Sequence, residues 1–210
     1  MVIRLGFAGK SGPRRRAPAR RGSSTRVLRI IGGTWRGRKL RFPAAADIRP
    51  TPDRVRETLF NWLGTRTAGA RCLDLFAGSG ALGLEALSRG AAHVTFIERD
   101  PAAVRELHAR LTEWQAQGAR VERQDALKFL RGTPEPFDIV FLDPPFASDL
   151  LPEAAALLAR GWLRPGALVY VECAARAGLP VLPGGFEALK AKQAGEVGYH
   201  LFTYLKALSL

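Results

Sequence analysis

The run Ile139-Val140-Phe141-Leu142 is apolar at every position, which suits a strand covered on both faces rather than one with a wet side. From residue 71 onward, runs of this kind alternate with helical periodicity. Strands are expected at Cys72–Phe76, His93–Ile97, Arg120–Arg123, Ile139–Leu142 and Ala167–Cys173, with helices near 80–89, 101–117 and 149–161. Val104, Leu107, Leu111 and Trp114 share one face of the second of these helices, and His108 falls beside that stripe, on helix surface. Such alternation with short connections predicts an α/β fold, a parallel sheet with helices on both faces. Residues 186–192 and 199–206, joined through Gly195 and Gly198, are expected to close the sheet as an antiparallel pair. The 210 residues fit one domain, and 47% apolar content is ample for its core.

Charge divides the chain unevenly. Residues 1–60 hold 16 Lys/Arg against 3 Asp/Glu, which accounts for the whole net charge of +13. A neutral body with a basic N-terminal quarter points to a polyanion, nucleic acid ahead of a membrane surface, and no apolar run reaches membrane-spanning length. Residues 1–25 contain Gly12-Pro13-Arg14-Arg15-Arg16 and Arg20-Arg21-Gly22-Ser23-Ser24 and are expected to be a disordered basic arm. A mitochondrial transit peptide and an over-extended start are alternatives; Gly and Pro spoil the amphipathic helix the former needs.

Residues 26–42 hold two short β-prone runs around Gly32-Gly33, so a hairpin is expected, with 26–48 as an N-terminal extension and 49–210 as the main domain. Arg29, Arg36, Arg38, Lys39 and Arg41, with Trp35 among them, combine cations for phosphates with an aromatic for stacking, the makings of an RNA contact. The alternative is a solvated hairpin whose charges only protect an edge. In the following Arg49-Pro50-Thr51-Pro52-Asp53-Arg54-Val55-Arg56-Glu57, Thr51 is a good N-cap and Pro52 suits the first helical position. Val55, Leu59, Trp62 and Leu63 make the buried stripe, which leaves Arg54, Arg56 and Glu57 on a charged face.

Leu73-Asp74-Leu75-Phe76-Ala77-Gly78-Ser79-Gly80-Ala81-Leu82-Gly83 lies where the first core strand turns into a helix, and its glycines admit a ligand close to the backbone. Taken literally, this is the G-x-G-x-x-G dinucleotide pattern, so a nicotinamide oxidoreductase has to be weighed. Asp74 stands four residues before the glycines, where it opposes a pyrophosphate and suits a cation, and no well-placed His or Tyr follows for proton transfer. S-adenosylmethionine meets both constraints, being a sulfonium with an ammonium and no phosphate. Glu98 at the end of the second strand can accept from ribose hydroxyls, and Asp125, in Gln124-Asp125-Ala126, from the adenine amine. Asp143-Pro144-Pro145-Phe146 then presents a carboxylate, carbonyls held by two rings, and an aromatic face, which suit a planar group bearing an amine. The bland reading is an Asp-Pro turn. Singly each acid is more often a cap; at four consecutive strand ends the coincidence is harder to sustain. The three histidines are scattered and Cys72 and Cys173 read as reduced core residues of a reducing compartment, so no metal site is expected.

Asp74 to Gly80, Glu98, Asp125 and the Asp143–Phe146 tetrad resemble the class I S-adenosylmethionine-dependent methyltransferases that modify exocyclic amines. The Arg29–Leu40 hairpin, the Arg49–Trp62 helix and Cys72–Gly90 are similar, more closely, to the bacterial 16S ribosomal RNA guanine-N2 methyltransferase family (RsmD), from about Arg26 to the C-terminus. That resemblance implies a Rossmann-like seven-stranded sheet with an antiparallel last strand, and methylation of the guanine conventionally numbered 966. It also implies that Asp143, Pro144 and Phe146 hold the target amine. By the same likeness Asp74, Phe76, Ala77, Gly78, Gly80, Glu98, Asp125 and Ala126 bind S-adenosylmethionine, with Thr51 and Arg54 flanking its methionine end. A cytoplasmic monomer acting on 16S rRNA or an assembling small ribosomal subunit is the expectation. A methyltransferase for other RNA, DNA or protein, and a non-catalytic RNA-binding protein, are the alternatives.

Overall fold

A computed structural model describes residues 25–43, 51–145 and 148–205. The arm expected at 1–25 lies almost wholly outside the described residues, as do 44–50 and Phe146.

Strands β1 (Thr25–Arg29) and β2 (Lys39–Pro43) pair antiparallel, Arg29 opposite Lys39, and form the expected hairpin as a sheet of their own. Helix α1 (Asp53–Leu63) and a short 3-10 turn lead into β3 (Arg71–Asp74). Then follow α2 (Ala81–Ser88), β4 (His93–Glu98), α3 (Pro101–Glu113), β5 (Ala119–Arg123), α4 (Ala126–Leu130), β6 (Phe137–Leu142), α5 (Leu150–Leu158), β7 (Leu163–Ala174), β8 (Phe186–Ala194) and β9 (Val197–Tyr204). The last seven strands form one sheet in the order β5-β4-β3-β6-β7-β9-β8. Pairings among β3 to β7 are parallel, and β9 runs antiparallel to both β7 and β8. This is the α/β sheet expected, with its antiparallel strand placed one in from the edge. No helix among the described residues is long and apolar enough to cross a membrane.

The period of two along each strand sorts the core into two layers. Ile139 and Phe141 point to one side with Cys72, Phe96, Leu168 and Tyr170, under α1, α2, α3 and the hairpin. Val140 and Leu142 point to the other with Leu73, Ile97, Val169 and Val171, under α4 and α5. Leu28, Ile30 and Leu40 of the hairpin enter the first layer, so the N-terminal extension shares the core of the sheet.

Several expectations need correction. The first helix has Pro52, not Thr51, at its N-cap, because the Thr51 hydroxyl is engaged elsewhere. Arg56, read as part of a charged face, is fully buried. Helix α3 stops at Glu113, short of 117, where Gln115 takes a left-handed φ of 50°. The five-residue helix α4 was not expected at all, being too short to show a period. Cys72 is buried as expected; Cys173 is half-buried, and both are free thiols.

Candidate functional site

Parallel strands leave the sheet at one edge, and the crevice outside their carboxyl ends, where the strand order reverses, is where open α/β sheets bind ligands. Here the order reverses between β3 and β6. An acid stands at the carboxyl end of every one of the five parallel strands. Asp125 follows β5, Glu98 ends β4, Asp74 ends β3, Asp143 follows β6, and Glu172 lies near the end of β7. Register sets the last two level: Phe141 is opposite Tyr170 and Leu142 opposite Val171, so the next step brings Asp143 beside Glu172. Neighbouring strands are about 4.8 Å apart, so the five acids make a continuous row.

The turn from β3 into α2 builds the middle of the row. The Asp74 carboxylate accepts from the Gly83 N–H at 3.0 Å, and Glu98 accepts from the N–H groups of Gly78 and Asp100, each at 2.7 Å. Gly78 and Gly80 have φ of 51° and 72°, in the region where a side chain is strained. A Cβ on Gly80 would meet Leu107 at 2.6 Å, and one on Gly83 would meet the Phe96 ring at 2.2 Å, so these two let α2 press onto its neighbours. A Cβ on Gly78 would meet only the Phe76 carbonyl oxygen, at 3.9 Å, which leaves room for a ligand beside the backbone. Ala77 is buried and Phe76 half-buried beside the turn. Farther along, Asp125 is exposed and caps α4 by accepting from Lys128 N–H at 3.0 Å, with Ala126 buried behind it.

The other half of the row is drier. Glu172 is buried, and its Oε1 accepts from the hydroxyls of Thr51 at 2.7 Å and Tyr170 at 2.8 Å. No ion pair among the described residues reaches Asp74, Asp143 or Glu172. Burial therefore raises all three: Asp74 goes from the usual 3.8 to about 7, with the Gly83 N–H opposing the rise. Asp143 lies well above the carboxylate range through desolvation first, then the charges of Glu172 and Asp74. Glu172 is raised by burial and held back by its two hydroxyl donors. Ionised acids without cations are costly in such a place, and a cationic ligand relieves them. The donor set therefore fits a sulfonium bearing an ammonium.

Of the remaining expected residues, Pro144 is buried next to Asp143, Arg54 is exposed on the first turn of α1, and Phe146 lies outside the described residues. Glu172 was missed. Its signal is the one that marked the other four, an acid closing the apolar run Leu168–Val171.

The hairpin lies elsewhere. Its nine-residue loop, 30–38, docks on the C-terminal end of α2, where Thr34 N–H donates to the Ser88 carbonyl and Trp35 N–H to the Ser88 hydroxyl. Gly33 has φ of 75°, and any Cβ there would overlap the Ser88 carbonyl oxygen. Beneath the loop, Glu85 is fully buried and accepts from the Ile31 and Gly32 N–H groups at 2.8 Å each, Arg56 at 3.3 Å and Arg89 at 2.7 Å. Arg56 also donates to the Arg29 carbonyl at 2.7 Å and pairs with Asp53. Because α2 starts at the acidic row and runs away from it, the loop sits at the far edge of the sheet. Trp35 is half-buried against Trp114, ring centroids 5.2 Å apart, and Arg38 lies over the Trp114 ring. Arg29, Arg36, Arg38 and Lys39 are exposed; of Arg41, only the backbone, in β2, is described.

Residues 28–203 match a family described as Conserved hypothetical protein 95. The chain is 51% identical over 181 residues to ribosomal RNA small subunit methyltransferase D of Escherichia coli K12, spanning 86% of this chain and 91% of that protein. To the protein of the same name in Haemophilus influenzae it is 46% identical over 180 residues, 83% and 93% of the two chains. A solved candidate methyltransferase from Escherichia coli matches 86% of this chain and 99% of its own with a TM-score of 0.79 and 48% identity. The 16S rRNA N2 G1207 methyltransferase of Thermus thermophilus, solved with AdoMet and guanosine, matches 87% of this chain and 50% of its own with a TM-score of 0.62 and 25% identity.

Proposed function

The chain belongs to the family of ribosomal RNA small subunit methyltransferase D, and from that membership we propose that it transfers the methyl group of S-adenosylmethionine to the exocyclic N2 of a guanine in 16S rRNA, the guanine numbered 966 in the family. The observation that carries the reading is the acidic row. Three of its members surround the glycine turn on one side, and Asp143 with Pro144 stands next to them.

On this reading Asp125 accepts from the adenine amine, Glu98 from the ribose hydroxyls, and Asp74 faces the ammonium. Thr51 donates its hydroxyl proton to Glu172, so toward the methionine end it offers an acceptor lone pair and suits an N–H better than a carboxylate. Arg54, exposed on the same turn, faces the methionine carboxylate. The cofactor supplies an electrophilic methyl carbon. Guanine N2 is a weak nucleophile because its lone pair is delocalised into the ring. Asp143 and the Pro144 carbonyl, by accepting its two N–H bonds, favour a pyramidal nitrogen with the lone pair aimed at that carbon. Orientation of this kind supplies about 7–11 kcal/mol of a barrier in favourable cases. The proton leaving N2 goes to a carboxylate whose affinity for it burial has already raised. Phe146 stacks on the base, which must be unpaired or flipped to enter. Arg29, Arg36, Arg38, Lys39 and Arg41 hold flanking phosphates, and Trp35 braces their loop. The substrate is 16S rRNA or an assembling small subunit, the enzyme a cytoplasmic monomer.

The test is to incubate the purified chain with labelled donor and small-subunit RNA, bare and assembled, and to map the modified nucleotide. A single N2-methylguanine is the expected result. Methyl transfer to another base, or tight donor binding with no transfer to any RNA, contradicts it.

A further inference from the structure

The row of acids has a direction. Read across the sheet from β5, the first three acids lie on the side of the glycine turn, Asp143 comes fourth, and Glu172 comes fifth, one strand farther from that turn. What Glu172 meets is therefore set by what lies beyond the target amine. On the Watson–Crick edge of guanine the neighbour of the N2 amine is N1–H, a donor. On adenine the corresponding ring nitrogen is a bare lone pair, and it is also bare in 2-aminopurine, which keeps the C2 amine.

Resting on the guanine-N2 reading above, we infer that Glu172 is the specificity-determining residue of the base pocket: its carboxylate accepts from guanine N1–H beside the amine held by Asp143, and it repels a base whose position 1 is an unprotonated nitrogen. Three observations carry this. Glu172 stands level with Asp143 on the adjacent parallel strand. It is buried, 3% exposed, so its charge is not dispersed into water. Both hydroxyl donors, Thr51 and Tyr170, converge on the same oxygen, Oε1, which fixes the carboxyl group and opposes the rise that burial gives it. A residue needed only to tie Thr51 to β7 could be a neutral acceptor, and the charge would then be an expense in a buried position. An acceptor there suits an N–H donor of the base, and once ionised it sets a buried charge against the lone pair of a mismatched base.

The test compares small-subunit particles carrying guanine or 2-aminopurine at the target position of 16S rRNA, introduced by splinted ligation, with the full chain as enzyme. Wild type should prefer guanine by about 10- to 100-fold in kcat/KM, the worth of one charged hydrogen bond. Glu172→Gln keeps the volume and an acceptor for the two hydroxyls, and its amide can turn an N–H toward a bare ring nitrogen. That variant should bring the two substrates to within about threefold of each other, with S-adenosylmethionine affinity by calorimetry changed by less than about threefold. A purely structural Glu172 would leave the ratio untouched. Equal wild-type rates on the two bases, or an unchanged ratio in the variant, would overturn the inference while leaving guanine methylation standing. Absence of wild-type transfer to the guanine particles would instead overturn the reading on which it rests. The wild-type comparison decides even if the variant does not fold.

Discussion

The hairpin's attachment is the boldest structural commitment of the chain, and Glu85→Gln tests it. Glu85 is wholly buried and receives four donors: two backbone N–H groups of the loop, Arg56 and Arg89. Arg56 is equally buried, so a neutral amide in place of Glu85 leaves a guanidinium short of countercharge and sets an NH2 against N–H donors. Breaking a buried pair costs about 3–5 kcal/mol. Arg56 retains Asp53 at 2.5 Å, which places the expected loss near the lower bound, about 3 kcal/mol. For a chain of this size that is a fall in Tm of about 6–12 °C. Urea unfolding gives the global figure; hydrogen exchange at Ile31 and Gly32 gives the local one, with protection of both amides lost. S-adenosylmethionine binding should persist, since Glu85 lies on the part of α2 remote from the glycine turn. A loss below about 1 kcal/mol with both amides still protected would refute the clamp.

Two further outcomes follow from charge. Asp74 is raised from 3.8 to about 7, so below pH 7 it is largely protonated and cannot pair with a cation. S-adenosylmethionine affinity should climb about tenfold from pH 6 to pH 8 and level off, while Asp74→Asn flattens the profile; calorimetry reads both. The same shift destabilises the ligand-free protein as pH rises from about 4 to 7, because the folded carboxyl binds its proton more tightly than the unfolded one. Neutralising Arg36, Arg38 and Lys39 together should make the salt dependence of RNA binding shallower by about 2–3 in log–log slope, and an unchanged slope would remove the loop from the RNA contact.

What the sequence made legible was local. Asp74, Glu98, Asp125 and Asp143 could be found because each closes an apolar run, and the glycine turn because its spacing is contained in six residues. Glu172 follows the same rule, but it falls inside the expected Ala167–Cys173 strand, one residue short of its end, and so reads as part of the strand rather than as its closing acid. The clamp was illegible for another reason: Glu85 and the loop amides it accepts from are 53 and 54 residues apart, and nothing in a helix period marks which charge will be buried. Arg56 therefore looked like solvent-facing charge, the ordinary fate of an arginine on an amphipathic helix. Thr51 misled in the same way. A threonine before Pro-Asp has every local reason to cap, and only a glutamate 121 residues away, on another strand, takes its hydroxyl instead. Trp35 pairs with the indole of Trp114, the C-cap of α3, which no pattern in the hairpin announces.

The central claim is a division of labour along one row of acids, with Asp143 assigned to the target amine and Asp74, Glu98 and Asp125 to the cationic cofactor. Asp143→Ala, assayed with 16S rRNA particles and titrated with S-adenosylmethionine, separates the two most directly. Methyl transfer should fall by about 10²-fold or more while the Kd for the donor stays within about threefold. Full turnover in that variant, or transfer and donor binding lost together, would contradict the account.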